Sequence, residues 1–188
     1  MILGFMQRFP FKGPDKQPVP TNFREKILAG AGYCELTGDP PTRNVDNTHS
    51  WPVIIYNPKI HTFREDPYNR WKSGMSIQMV YRGSKYSILD HFNKGIPELE
   101  KLNGKQEVKI IWFYKNEYVE TSLPLRTIAG PHGEFDYYPA IWIDGRQLKE
   151  PEIKQLAIND GFDSVEDFFR WFKRDWSGKI LHWTDLRY

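Results

Sequence analysis

The 188-residue sequence predicts an α+β fold: a small, curved or closed antiparallel β-barrel with two or three helices at its periphery. Three observations point there. Short segments rich in β-branched and aromatic residues dominate the chain, among them "EVKIIWFY", "YVETSL" and "FDYYPAIWI". Helical spacing is confined to a few windows. Both ends of the chain have strand character, so pairing the terminal strands would remove free edges.

Taken in order, Met1 to Phe9 alternates loosely and reads as a first strand, followed by the turn-rich connector "PFKGPDKQPVP". A helix begins in "TNFREKILAG", where Asn22 and Glu25 have the spacing of a capping box, Phe23 and Ile27 share a face with Leu28 beside them, and Gly30 supplies a stop. Residues 31–58 show no sustained period and read as a long loop, with a short strand at Val53 to Tyr56. Lys59 to Glu65 is a strand, "EDPYNRWKSG" a turn and "MSIQMVYRG" another strand. Between Ser84 and Gly104 the offsets of Ile88, Leu89 and Phe92 suggest a short helix.

Past the β-rich run, Asp144-Gly145 suits the positive φ angles of a type I′ hairpin turn. "EPEIKQLAINDG" reads as a helix with proline in its first turn. "DSVEDFFRWFKRDW" has Asp163 as cap with Glu166 three positions on, and Val165, Phe168, Phe169 and Phe172 on one face. "KILHWTDLRY" forms a closing strand. The whole of 1–188 reads as a single domain, as expected for this length.

Composition narrows the function. A formal net charge of +2 lacks the strongly basic balance of proteins that grip duplex backbones over a wide face. Locally, Lys59, Arg64, Arg70, Lys72, Arg82 and Lys85 outnumber Glu65 and Asp66, enough to attract a phosphate or a short single strand. Cys34 is the only cysteine, which excludes an intramolecular disulfide and a CxxC zinc site and fits a reducing compartment. His61, His91, His132 and His182 show no ligand spacing, so neither a metal nor a cofactor is expected. No signal peptide is recognisable and no apolar run approaches the ~20 residues of a membrane span, so a cytoplasmic protein without membrane contact is expected. The oligomeric state is not encoded in any pattern.

Residues 58–74, "PKIHTFREDPYNRWKSG", crowd polar side chains onto one short strand. They form either a solvated edge or the wall of a pocket. Strict alternation puts Thr62 and Arg64 on one face with Ile60 and leaves Lys59 on the other, so Lys59 meets Thr62 only if the chain bends at the strand entrance. With such a bend, a desolvated Lys59 could take a proton from the Thr62 hydroxyl, and Arg64 would present a fork of donors to a carbonyl or phosphate. Trp71 and Gly74 read as a structural turn, with Trp71 also a candidate to line the pocket. Trp183 and Tyr188 could stack on a base or pack in the core.

The K-x-x-T-x-R spacing of Lys59, Thr62 and Arg64, the "RWKSG" that follows, the helix "FREKILAG", the helix pair around "DGFDSVEDFFRWF" and the closing "KILHWTDLRY" together resemble the ASCH domain family, small β-barrels of the PUA-like superfamily. The resemblance covers about two-thirds of the chain and leaves 31–58 and 84–106 as insertions. Asn57 and Met75 stand where the family pattern has a glycine and often an acidic residue. Some compact members remove the acyl group from N4-acetylcytidine with a lysine, a threonine and a glutamate. Carried over, these fall on Lys59, Thr62 and Asp160, with aspartate one methylene shorter than glutamate. The resemblance thus implies a module binding a nucleobase, nucleoside or single-stranded RNA through Lys59, Thr62, Arg64 and Trp71. An amidohydrolase acting on N4-acylated cytidine through Lys59, Thr62 and Asp160 is the first alternative, and a protein-interaction domain that uses the insertions is the second.

Overall fold

A computed structural model describes residues 2–12, 17–30, 59–82 and 101–188. The expected loop and strand within 31–58 and the expected helix around Ile88 lie outside the described residues.

The chain enters through β1 (Ile2–Phe5), β2 (Arg8–Lys12) and β3 (Pro18–Pro20), then the helix α1 (Phe23–Gly30). Strands β4 (His61–Arg64) and β5 (Gln78–Tyr81) come next. The long strand β6 (Gly104–Tyr114) precedes β7 (Arg126–Gly130), β8 (Gly133–Ile143) and the two-residue β9 (Arg146–Gln147). Helices α2 (Glu150–Asn159) and α3 (Val165–Trp171) lead to β10 (Trp176–His182). Gly104 to Gln106, at the end of the second presumed insertion, belong to β6.

The fold is α+β and mostly strand, built on a curled antiparallel sheet in the order β4-β10-β6-β8-β7, with β9 paired to β8. Among the described residues it is a half-barrel that does not close. The expected pairing of the terminal strands fails for a simple reason: β10 already has β4 on one edge and β6 on the other, and β1 pairs in parallel with β5 instead. No helix among the described residues is long and apolar enough to cross a membrane.

Period-2 burial along β6 points Val108 and Ile110 inward beside Ile141 and Ile143 of β8 and Ile180 of β10. The helices supply the opposing layer. Phe168 of α3 lies with its ring centroid 5.5 Å from Phe63, 5.3 Å from Phe162 and 4.8 Å from Phe172, while Phe169 meets Trp112 at 5.6 Å. Phe23, Ile27 and Leu28 of α1 are buried in the same cluster. Burying each such side chain contributes roughly 1.5–3 kcal/mol.

Two local expectations are corrected. Residues 118–123, expected as a strand, have no strand pairing, because their polar groups serve the start of α2: Thr121 Oγ1 donates to the Glu150 carboxylate at 2.5 Å and the Ser122 amide donates to it at 3.1 Å. The cap of α3 is Ser164 rather than Asp163, with Ser164 Oγ accepting from the Asp167 amide at 3.1 Å. Asp163 is engaged elsewhere, by Lys26. The β8–β9 turn matches expectation, with φ of 48° at Asp144 and 84° at Gly145.

Candidate functional site

Lys59 makes an isolated antiparallel bridge with Asp160, and the ladder of β4 begins only at His61. Ile60, between them, belongs to neither the bridge nor the ladder. The Lys59 amide donates to Lys26 O at 2.8 Å and the Ile60 amide to Asn159 O at 2.9 Å, so the strand entrance is held against the end of α1 and the end of α2. Lys59 therefore points inward and is 1% exposed.

Its ammonium group donates to Asp160 Oδ1 at 2.5 Å and also to the Asp160 carbonyl, and lies 4.5 Å from the centre of the Phe23 ring. Among the described residues both hydrogen-bond partners of this nitrogen are on Asp160. Burial lowers the Lys59 pKa from 10.5 to about 8, against the opposing pull of Asp160. Burial likewise raises that of Asp160, with Lys59 and Arg64 opposing. Each charge is costly to bury alone, and each is the other's compensation.

Asp160 closes α2, with its amide donating to Leu156 O at 3.0 Å, and Gly161 follows at φ 84°. A Cβ on Gly161 would lie 3.1 Å from Lys59 Cβ and Cδ. This glycine thus serves both the turn and the lysine's path. Lys26 grips the same turn from α1, donating to Gly161 O and Asp163 Oδ1, each at 2.7 Å. Two buried lysines fix the segment that carries the acid.

Lys59, Thr62, Arg64 and Asp160 line one recess, with Phe5, Phe23, Phe162, Trp171 and Arg82 among the other walls. Its volume of about 40 Å³ admits a water or a single functional group rather than a whole base. Thr62 is buried and Arg64 half-buried on the strand face that turns toward the recess. Arg64 donates to the carbonyls of Phe63, at 2.9 Å, and Gly4, and its guanidinium carbon lies 5.4 Å from the centre of the Phe5 ring.

Trp71 lies elsewhere. It is buried in the core, its amide donating to Asp66 Oδ2 at 3.3 Å, and it is absent from the recess walls. Trp183 is buried beside Phe5. Tyr188 covers His61, centroids 5.4 Å apart, and its hydroxyl accepts from Asn159 Nδ2 at 2.8 Å.

Sequence reasoning passed over Lys26, although its position three residues after Phe23 on a buried helical stripe was a signal. It also passed over the aromatic walls, and over the pairing of His61 with His182, cross-strand neighbours with rings 5.5 Å apart. No linear spacing encodes that pair. Among the described residues no group of three or more His, Cys, Asp or Glu is placed to hold a metal ion.

Comparison of the chain with protein families, curated proteins and solved structures yields no match in any of the three.

Proposed function

We propose that the chain is an ASCH-type, PUA-like domain that binds a nucleobase, a nucleoside or single-stranded RNA at the recess of Lys59, Thr62, Arg64 and Asp160. One observation carries this reading: four polar residues separated by up to 101 positions converge on one small concavity, two of them as a buried ion pair. Such an arrangement costs stability unless its groups are used or fully compensated. The narrowness of the recess means that it reads one edge or one substituent of the ligand, with the remainder outside.

Binding comes before turnover in this reading because Lys59 is engaged by Asp160 rather than free. A second reading, hydrolysis of N4-acylated cytidine, is favoured by the Lys59 pKa of about 8 beside Thr62 in the same recess. In that chemistry Lys59, in its neutral form, takes the Thr62 hydroxyl proton as the oxygen bonds the acyl carbon. The proton passes along the Lys59–Asp160 hydrogen bond, Asp160 donates it to the departing exocyclic nitrogen as the C–N bond breaks, and water releases the acyl group from Thr62 as the free acid.

The two readings separate by ultraviolet absorbance during incubation with N4-acetylcytidine. Spectral conversion that vanishes in Thr62→Ala supports hydrolysis, and unchanged turnover in that variant removes Thr62 from it. Equilibrium binding of nucleoside or single-stranded RNA without conversion, weakened by Arg64→Ala, supports the module. Absence of binding to either ligand contradicts it.

A further inference from the structure

The charged residues lining the recess are Lys59, Arg64, Arg82 and Asp160: three cations against one carboxylate, a net of +2. The carboxylate is already paired with Lys59. Both arginines are left without a carboxylate partner among the described residues, and both neighbour Gly4 at the recess wall. Arg64 reaches the carbonyl of Gly4 from β4. Arg82, at the end of β5, donates its amide to Phe5 O at 2.7 Å, and its Cγ lies 3.7 Å from where a Cβ on Gly4 would be.

Arg64 has spent two of its five N–H donors on carbonyls and keeps the rest of its fork, held in place from both sides. Arg82 is exposed and also lines the recess. We propose that this pair of arginines is a seat for a phosphate group, so that the ligand of the recess is a nucleotide rather than an uncharged nucleoside. This rests on the nucleobase reading above and specifies its ligand class. A phosphate monoester carries close to the two negative charges that the walls lack, and its oxygens match a guanidinium fork. The repulsion that Arg82 exerts on Arg64, after the larger effect of burial and against the pull of Asp160, is relieved by such an anion. The recess of about 40 Å³ has room for one edge of the base, so the phosphate is met at its rim, on the exposed Arg82 and the free part of the Arg64 fork.

The test is a fluorescence titration at low salt with cytidine, cytidine 5′-monophosphate and inorganic phosphate, with Trp171 at the recess wall as a reporter. The expected result is at least about tenfold tighter binding of the monophosphate than of cytidine, with competition by inorganic phosphate. In Arg82→Gln, a surface change that leaves the core intact, the preference should fall to within about twofold. Arg64→Lys should weaken monophosphate binding more than cytidine binding. Equal affinity for cytidine and its monophosphate, or a preference that survives Arg82→Gln, overturns the phosphate seat and leaves the nucleoside reading standing. Arg82-dependent binding of inorganic phosphate with no effect of either cytidine ligand keeps an anion seat and overturns the nucleoside reading.

Discussion

Lys59 and Asp160 illustrate how a pair of charges becomes necessary once either one is buried. Replacing Asp160 by Asn removes the compensation and leaves a buried ammonium group unpaired beside Arg64, a loss expected to cost about 3–5 kcal/mol in urea unfolding. Lys59→Met combined with Asp160→Asn should cost less than the two single changes added together, because the second change removes the charge that the first one stranded. Additive losses would show that the two groups act independently.

His61 and His182 give the residue scale a pH signature. Burial holds His61 well below 6.5 and lowers His182 to about 4, and three of their four ring nitrogens have no hydrogen-bond partner among the described residues. Between pH 6.5 and about 4 the unfolded chain binds protons that the folded chain refuses, so the folded state is fully favoured above 6.5 and loses that advantage as the pH falls. Asp160, with its raised pKa, contributes in the opposite sense. The histidine part is therefore isolated by comparing the wild type with His182→Gln: the variant's unfolding midpoint should depend less steeply on pH between 6.5 and 4. Identical slopes would assign the acid sensitivity elsewhere.

At the scale of elements, the turn from α2 to α3 is the part that builds the site. Ser164→Ala should cost about 0.5–2 kcal/mol as the loss of a helix cap, with ligand binding unchanged. Gly161→Ala places a side chain at φ 84° and against Lys59, so it should weaken ligand binding as well as stability, a contrast visible by calorimetry and titration together. The helices were legible in the sequence, α1 and α3 from their apolar spacing and α2 from the proline in its first turn, and so was the Asp144-Gly145 turn, because these signals are local. Strand β7 was not: "RTIAG" is short, mostly exposed and ends in glycine, and it is a strand only because β8 lies beside it. The misplaced α3 cap has the same origin, since nothing near Asp163 in sequence announces Lys26, 137 positions away.

Across the whole molecule, burial and curvature were legible but closure was not. Strand content says that a sheet must curl around a core, whereas the order of strands depends on which edges are already occupied, and β10 had none to offer β1. The motif Lys59, Thr62, Arg64 could be read from its spacing, and its juxtaposition with Asp160 followed only from the resemblance. Arg82 was visible merely as one of several basic residues. The near-neutral charge has a consequence for nucleic-acid binding: with Arg64 and Arg82 meeting phosphate, the slope of log affinity against log salt for a single strand should be about −1.4. A much steeper slope would mean that a broad surface, not the recess, makes the contacts.

The most direct test of the recess as the ligand site is a titration of the isotope-labelled protein with cytidine 5′-monophosphate, followed residue by residue through its backbone amide resonances. Shifts should concentrate at Lys59 to Arg64, Arg82 and Asp160 to Phe162, and should saturate together. Saturable shifts confined to the β7–β8 hairpin, or none at millimolar ligand, would contradict it.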